Sequence, residues 1–214
     1  MRSKFDEQLA LLNRDLTKMG SLCEEALALA AKAMANAAGQ TAAKIAPIDS
    51  EIDQMERTIE SLCLKLLLQQ QPVARDLRQI SAALKMITDM ERIGDQASDI
   101  AEIIGILNGR IGTDAQYICQ MAVAAMRMVT ESVEAYVKRD VAMAEATIQH
   151  DDVVDDLFLK VKESLIQMIS ENPKDGEYAL DLLMIAKYFE RIGDHATNIA
   201  EWVVFSVTGV HEQV

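Results

Sequence analysis

Apolar side chains recur at intervals of three and four residues through six long segments of the chain, the periodicity of amphipathic α-helices. Short polar or glycine-containing stretches separate the segments near residues 39, 69–72, 108–113, 137–140 and 171–176. Pro72 and Pro173 each follow a polar, turn-like stretch, as expected at a helix boundary. Because strand signals are absent, the pattern predicts an all-α protein with six long helices.

The six predicted helices form two sets of three with the same layout. Helices 1–3 cover about 4–107 and helices 4–6 about 113–207, and each set carries its most distinctive motif in its third helix. This layout predicts a tandem repeat of two antiparallel three-helix bundles, at 1–108 and 112–214. The linker around Asn108–Gly112 is compatible with two closely packed bundles and with an elongated molecule.

The third helix of each set contains nearly the same thirteen residues, MERIGDQASDIAE at 90–102 and FERIGDHATNIAE at 189–201, with nine identical positions. At about 100° per residue, the acidic and amide residues of each copy share one narrow helix face. They are Glu91, Asp95, Asp99 and Glu102 in the first copy and Glu190, Asp194, Asn198 and Glu201 in the second. The opposite face predicts a buried stripe, formed by Met90, Ile93, Ala97, Ile100 and Ile104, and by Phe189, Ile192, Ala196, Ile199 and Val203.

A solvated surface is the simplest explanation of an acidic helix face, but two details weigh against it. Like charges four residues apart cost roughly 0.2–0.5 kcal/mol each, and a solvated face normally includes Lys or Arg among the acids. Gly94 and Gly193 each cost up to about 1 kcal/mol relative to Ala in mid-helix, which close approach of a neighbouring helix would explain. Arg92 and Arg191 lie beside the stripes, and we expect them to form structural ion pairs.

Antiparallel packing would bring a second pair of acids level with each motif. Asp53 lies 18 residues before the predicted turn near residue 71, and Glu91 lies 20 residues after it. Asp49 and Asp95 lie 22 residues before and 24 residues after the same point. The corresponding pairs of the second repeat are Asp155 with Glu190 and Asp151 with Asp194. The rotation of the helices, which the sequence leaves open, decides whether these faces meet.

Four or more carboxylates brought together repel one another strongly unless protons or cations neutralise them. All-oxygen clusters suit hard cations such as Mg²⁺, Ca²⁺, Mn²⁺ or iron. We therefore predict metal binding at the paired acidic faces. Binding of a basic partner surface by the exposed stripes is the alternative.

The overall charge and the cysteines narrow the class of protein further. A net charge of −13 argues against a general nucleic-acid binder and suits cations or basic surfaces. Cys23, Cys63 and Cys119 are odd in number and lack a CxxC spacing, which predicts reduced cysteines in helices. The polar start of the chain lacks a signal-peptide apolar region, and no uncharged apolar run approaches the ~18 residues of a membrane span. We therefore expect a soluble, cytoplasmic protein.

Several of these motifs together resemble those of the PhoU family, regulators of phosphate uptake and phosphate signalling in bacteria. The resemblance spans essentially the whole chain: ERIGD twice, the trailing IAE twice, QQPVARDLR at 70–78, and the Asp-rich openings of helices 2 and 5. It implies two similar three-helix bundles whose acidic motifs hold multinuclear iron or zinc clusters, with Mg or Mn as further candidates. The implied ligands are Glu91, Asp95 and Asp99 in the first repeat and Glu190, Asp194 and Asn198 in the second. The facing candidates are Asp49, Asp53, Asp151 and Asp155.

The resemblance also implies a function. PhoU proteins act as negative regulators of phosphate uptake and of the phosphate-starvation response, as adaptors between the ATPase of an ABC phosphate transporter and a sensor histidine kinase. A homodimer is a further expected assembly, and membrane association is expected only through partners. Asn198 and His195 stand where the first copy has Asp99 and Gln96, so the two sites are expected to differ.

Two alternatives come from other classes of protein. A ferritin-like carboxylate-bridged metalloenzyme would need Glu-x-x-His ligand pairs, and no histidine of this chain has Glu three residues before it. Because the sequence also lacks a nucleophile–base pair, a Gly-rich phosphate loop and a zinc motif, we do not expect an enzyme. The second alternative is a metal-free helical scaffold protein.

Overall fold

The computed structural model describes residues 2–36, 39–70, 72–112 and 115–210, which are helical over most of their length and contain no strand. Six helices in this part of the chain have more than 20 residues, and two are short. None of the described helices is long and apolar enough to cross a membrane. The helices are α1 (Arg2–Asn36), α2 (Gly39–Ala42), α3 (Ile45–Gln70), α4 (Ala74–Leu107), α5 (Gln116–Lys138), α6 (Val141–Gln149), α7 (Asp151–Glu171) and α8 (Gly176–Thr208).

Most ends of the long helices lie at the polar stretches that the sequence predicts. Asn172 caps the 3-10 turn at Pro173–Asp175 by accepting a hydrogen bond from the Lys174 amide at 3.3 Å. Helix α8 ends at Gly209, whose φ of 82° favours glycine. The predicted all-α architecture with six long helices is confirmed, while the predicted ends at 1 and 214 lie outside the described residues.

One break was not predicted. The segment between Lys138 and Asn172 bends at His150, which ends α6 and precedes α7 while keeping helical φ and ψ angles of −72° and −15°. No Gly or Pro marks this position in the sequence. Asp151 and Asp152 occupy the first turn of α7, where negative charge is favourable.

The two sets of helices pack closely against each other. Helix α3 packs on α1 and α4, and α7 packs on α5 and α8. Between these outer helices, α4 lies antiparallel against α8, and α1 lies against α5. Contacts of Asp89 with His195 and of Arg78 with Gly209 show the antiparallel direction of α4 and α8. Of the two arrangements compatible with the short linker, the molecule therefore adopts the closely packed one.

One hydrophobic core runs through both sets. Every residue of the two predicted apolar stripes is buried, from Met90 to Ile104 in α4 and from Phe189 to Val203 in α8. Cys23 and Cys63 are buried free thiols, and Cys119 is a half-buried one. Because the apolar stripes face inward, the acidic faces of α4 and α8 are left to meet α3 and α7.

Candidate metal centres

Each mid-helix glycine makes room for a carboxylate of the neighbouring helix. A Cβ atom on Gly94 would lie 2.7 Å from Asp49 Oδ1 and 3.0 Å from Ile52 Cδ1. A Cβ on Gly193 would lie 3.1 Å from Asp151 Oδ1. The predicted close approach of a neighbouring helix is confirmed in both repeats. The helices are therefore rotated so that their acidic faces meet.

The first acid cluster consists of Asp49 and Asp53 on α3 and Glu91 and Asp95 on α4. Carboxylate oxygens of Asp49, Asp53 and Asp95 lie within 4.8 Å of one another, and all three residues are half-buried. Ser98 Oγ donates a hydrogen bond to Asp49 Oδ2 at 2.9 Å. Asp49 Oδ1 is shielded from solvent and has no hydrogen-bond partner among the described residues. This buried acceptor is a group that a cation would satisfy.

Burial and mutual repulsion disfavour the charged state of the first acid cluster. Burial raises the pKa of Asp49, the Ser98 hydrogen bond opposes the rise, and the charges of Asp95, Asp53 and Asp99 add to it. Burial also raises the pKa of Glu91, followed by the charge of Asp95. Arg92 only partly compensates, because its side chain is 55% exposed.

The ion pairs predicted for the two motif arginines are confirmed for Arg92 alone, since Arg191 has no carboxylate within 4.0 Å among the described residues. Arg92 Nη1 lies 3.0 Å from Asp95 Oδ2, and its Nε lies 3.4 Å from Glu91 Oε2. Both contacts are made within α4, so Arg92 is placed beside the first acid cluster rather than between the helices. An exposed ion pair of this kind contributes about 0–1 kcal/mol and leaves the repulsion at Asp49 in place.

The second acid cluster consists of Asp151 and Asp155 on α7 and Glu190 and Asp194 on α8. Burial raises the pKa of Asp151 to about 6, and the charges of Asp194, Asp155 and Glu190 add to the rise. Burial likewise raises the pKa of Asp155 and of Asp194, and Glu190 contributes to both. All four predicted residues are therefore close enough to act on one another.

The second acid cluster includes a cation of its own. Lys187 Nζ forms an ion pair with Glu190 and also lies 5.6 Å from the ring centroid of Phe158. Throughout the described ranges, three carboxylate oxygens converge to within 4.8 Å at the first acid cluster, and the second shows no such convergence. The two clusters thus share their residue types and differ in how closely the oxygens meet.

The third position of each motif lies at the contact between α4 and α8. Asn198 Nδ2 donates to Asp89 Oδ1 at 3.2 Å, and His195 Nδ1 lies 2.9 Å from the same oxygen. Asp99 is hydrogen-bonded to Tyr188 of α8 and is also close enough to raise the pKa of Asp49. The hydrogen bond of Asn198 is directed at α4, and its assignment as a metal ligand stays a prediction.

Sequence reasoning missed Ser98, Glu56 and Asp89. Ser98 had a signal, since the second copy carries the hydroxyl residue Thr197 at the same position. Glu56 extends the acidic face of α3, and its pKa is raised by burial and by the charges of Glu60 and Asp53. Asp89 has no acidic counterpart in the second copy, where Tyr188 takes its place, so the repeat gave no indication of its contact.

The side chains present fit a hard cation. The converging atoms of the first acid cluster are carboxylate oxygens, the ligands that Mg²⁺, Ca²⁺, Mn²⁺ and iron prefer. Two oxygens bound to one Ca²⁺ at its usual ligand distance lie at most about 5 Å apart, and those of Mg²⁺ at most about 4 Å. The observed separation of up to 4.8 Å is therefore within reach of a cation after small side-chain movements.

The duplicated motif also decides the family. The family profile described as the PhoU domain matches residues 16–104 and again residues 118–203, once in each set of helices. The chain belongs to the PhoU family. The resemblance seen in the ERIGD and IAE motifs is confirmed over most of the sequence.

Relatives of PhoU type match the chain over almost its full length. A protein of Clostridium acetobutylicum named "Phosphate-specific transport system accessory protein PhoU homolog" is 35% identical over 97% of this chain and 96% of its own. A protein of Pseudomonas aeruginosa with the same name is 33% identical over 96% of this chain and 86% of its own.

Solved PhoU structures have the same fold. The crystal structure of PhoU from Pseudomonas aeruginosa superposes with a TM-score of 0.92 at 33% identity, covering 96% of this chain and 100% of that one. A PhoU structure from Streptococcus pneumoniae has a TM-score of 0.88 at 24% identity, covering 98% of this chain and 100% of its own, and supports the fold alone. The close packing of the two repeats is thus a PhoU architecture.

Proposed function

We propose that this protein regulates phosphate transport, as a negative regulator of phosphate uptake and of the phosphate-starvation two-component response. Membership of the PhoU family and relatives named as phosphate-specific transport system accessory proteins support the regulatory role. The negative sign of the regulation comes from the family resemblance of the motifs.

The regulator acts as an adaptor between the ATPase of a phosphate ABC transporter and a sensor histidine kinase on the cytoplasmic side of the membrane. The long exposed faces of an acidic protein support a binding role, because a net charge of −13 favours association with basic surfaces. The relatives' names place them with the phosphate-specific transport system, which supports a transporter component as one partner.

The two acid clusters bind metal ions. The observation that carries this part is the buried, unpartnered Oδ1 of Asp49 beside two further carboxylates within 4.8 Å. The bound ion would neutralise the mutual repulsion of the carboxylates and fix α3 against α4 and α7 against α8. The proposed ligands are Asp49, Asp53, Glu91, Asp95 and Asp99 in the first repeat and Asp151, Asp155, Glu190, Asp194 and Asn198 in the second. Iron or zinc follows from the family, and the all-oxygen donor set also suits Mg²⁺ or Mn²⁺.

A pull-down from cells grown at high and at low phosphate tests both parts on one sample. We expect the tagged protein to retain a transporter ATPase or a sensor kinase, and elemental analysis of the same eluate, prepared without chelator, to find bound metal. The variant Asp49→Asn/Asp95→Asn/Asp151→Asn/Asp194→Asn should lose metal at both clusters, and Glu145→Gln, an exposed carboxylate on α6, is the matched control.

The outcomes separate the proposals. Partner capture and intact regulation by a metal-free quadruple variant would contradict a regulatory metal and leave the metal-free scaffold. Metal without capture of either partner at any phosphate level would contradict the adaptor role.

A further inference from the structure

The ends of three helices meet at one pole of the molecule. Helix α4 begins there, and α5 and α8 end there. The hydroxyl of Tyr136 on α5 donates to the carbonyl oxygen of Gln79 on α4 at 3.1 Å. The guanidinium of Arg78 lies against Gly209, where a Cβ would be 3.5 Å from Arg78 Cζ. We call this region, with Arg75, Arg78 and Arg139, the arginine pole.

The three arginines lie close together without carboxylate partners. Arg139 follows α5 in the left-handed conformation, with a φ of 56°, and its Nη1 donates to Gln79 Oε1 at 3.4 Å. Arg78 Nε is shielded from solvent and finds no hydrogen-bond acceptor in the described part of the chain. Within that part, none of the three forms an ion pair, whereas Arg57, Arg92, Arg110 and Arg127 each pair with a carboxylate.

Positive charge is therefore concentrated at the arginine pole. Burial lowers the pKa of Arg139, and the charge of Arg75 lowers it further, followed by that of Arg78 with partial opposition from Tyr136 and Asp76. The half positive charge at the start of α4 is outweighed by the half negative charges at the ends of α5 and α8, so the arginine side chains themselves carry the positive potential. No side chain caps that terminus at Val73. Three guanidinium groups lie here with Asp76 in the first turn of α4, which offsets only part of their charge, and this excess of positive charge favours an anion.

We propose that Arg75, Arg78 and Arg139 form a binding site for a phosphate-class oxyanion. The planar guanidinium group donates two parallel hydrogen bonds to the oxygens of a phosphoryl group, which a single lysine does not do. Free inorganic phosphate and the phosphoryl group of a lipid headgroup share this chemistry. The site lies on other residues than the two acid clusters and goes beyond the regulatory function proposed above.

The equivalent pole of the second repeat provides an internal contrast. The repeat of 99 residues between α4 and α8 places Lys174 and Glu177 where the first repeat has Arg75 and Arg78. There Arg110 forms an ion pair with Asp175, and its guanidinium lies 4.4 Å from the ring centroid of Tyr178. The positive charge of that pole is neutralised within the chain. Among the described residues of these two poles, arginines without carboxylate partners gather at the first alone.

Titration of the full-length, chelator-treated protein with inorganic phosphate at constant ionic strength, followed by calorimetry and ³¹P NMR, tests the site. Removing metals first prevents phosphate from binding through cations in the acid clusters. We expect saturable binding by the wild type and at least about a tenfold weaker affinity in Arg75→Gln/Arg78→Gln and in Arg139→Gln, since charge-assisted hydrogen bonds are lost. Arg127→Gln, whose side chain pairs with Glu131 at 2.7 Å, is the matched control and should bind as the wild type does.

Vesicles distinguish the two sources of the phosphoryl group. Co-sedimentation with phosphatidylglycerol vesicles that depends on the three arginines and is absent with phosphatidylcholine would assign the site to lipid headgroups, and competition by inorganic phosphate would assign it to the free anion. Either result supports the site. Binding of neither probe by the wild type, or equal loss in Arg127→Gln, would overturn it, while far-UV circular dichroism and thermal melting show that each variant is folded. The metal content of the acid clusters is measured separately, so failure here leaves the proposed function untouched.

Discussion

The two acid clusters are built on the same motif but reach different electrostatic states. In the first, three carboxylate oxygens converge within 4.8 Å, and Ser98 donates a hydrogen bond to Asp49. In the second, Asp151 has a pKa of about 6, and the equivalent hydroxyl of Thr197 is buried without a hydrogen-bond partner among the described residues. The two clusters therefore share their motif and differ in one hydrogen bond, which Ser98 makes to the aspartate of the neighbouring helix and Thr197 does not.

A second difference lies on the outer helices. Counting from the paired aspartates, Glu56 of α3 corresponds to Phe158 of α7. Glu56 adds a carboxylate beside the first acid cluster, whereas Phe158 supports Lys187, which pairs with Glu190. Both clusters have a paired cation, since Arg92 pairs with Asp95 in the first and Lys187 with Glu190 in the second, so the added carboxylate of Glu56 is what distinguishes the first. The difference favours the first acid cluster as the stronger of the two proposed cation sites.

Removing two proposed ligands from each acid cluster in turn should produce the largest difference in Mn²⁺ affinity between the clusters. We expect Asp49→Asn/Asp95→Asn to weaken Mn²⁺ binding by more than about 100-fold. Residues that contact the ligands but not the metal typically contribute about 10–100-fold, and direct ligands should contribute more. Asp151→Asn/Asp194→Asn should remove a weaker binding step and leave the first intact. Calorimetric titration of chelator-treated protein measures both. Equal losses of Mn²⁺ affinity in the two variants would contradict the first acid cluster as the stronger site. Loss of the tighter binding step in Asp151→Asn/Asp194→Asn would contradict it as well.

The pH dependence should sharpen the comparison at the second acid cluster. The pKa of Asp151, about 6, lies above its ordinary value of 3.8, so the folded protein binds more protons than the unfolded chain between these values. Lowering the pH from about 7 to about 5 should therefore stabilise the cation-free protein. The destabilising contribution of charged Asp151 is complete above about pH 6 and absent below about pH 4.

Thermal melting over this pH range checks the sign. Asp151→Asn should flatten the profile more than Asp49→Asn, because the Ser98 hydrogen bond opposes the rise in the pKa of Asp49. Mn²⁺ affinity at the second cluster should fall up to about tenfold per pH unit below pH 6 if one proton is displaced. A cation-free protein that loses stability as the pH falls from 7 to 5 would show that the acid clusters are not under strain from repulsion.

The glycines should respond unequally to added bulk. A Cβ on Gly94 would lie 2.7 Å from Asp49 Oδ1, and one on Gly193 would lie 3.1 Å from Asp151 Oδ1. Alanine gains up to about 1 kcal/mol in helix propensity at both positions, and overpacking costs about 1–3 kcal/mol where nothing can move. We expect Gly94→Ala to have a free energy of unfolding about 1 kcal/mol lower than Gly193→Ala. Urea denaturation of the two variants provides the measurement, and equal stability would argue against the closer approach of α3.

The contact between α4 and α8 should give the smallest effect. Asp89 lies 2.9 Å from His195 Nδ1 and accepts a hydrogen bond from Asn198 at 3.2 Å. Because the contact is partly exposed, Asp89→Ala should lower the free energy of unfolding by about 1 kcal/mol while leaving the tight Mn²⁺ step unchanged. The control is Glu145→Gln, which removes the charge of an exposed carboxylate on α6. If Asp89→Ala weakened the tighter Mn²⁺ binding step, the contact between α4 and α8 would be shown to influence metal affinity at the first acid cluster.

Particular residues show how far the sequence alone could lead. The spacing of Ile93, Ala97 and Ile100 was sufficient to predict the buried stripe, because helical periodicity depends only on local geometry. Gly94 and Gly193 predicted close helix approach, because a glycine in mid-helix carries a cost that needs a compensating contact.

Other features depend on tertiary packing and could not be read in the same way. The rotation of α3 against α4 is set by the whole core, and a five-residue linker is compatible with more than one packing of the repeats. The bend at His150 has no Gly or Pro to mark it, and the contact of Asp89 has no repeated counterpart. The arginine pole joins residues from both repeats, which come together only in the folded chain.

Anomalous diffraction from crystals of the full chain grown with Mn²⁺ tests the central claim most directly. The account predicts an anomalous peak between Asp49, Asp53 and Asp95 at lower Mn²⁺ concentration than any peak at Asp151 and Asp194. No peak at the first acid cluster at saturating Mn²⁺, with density for the ion elsewhere on the surface, would contradict it.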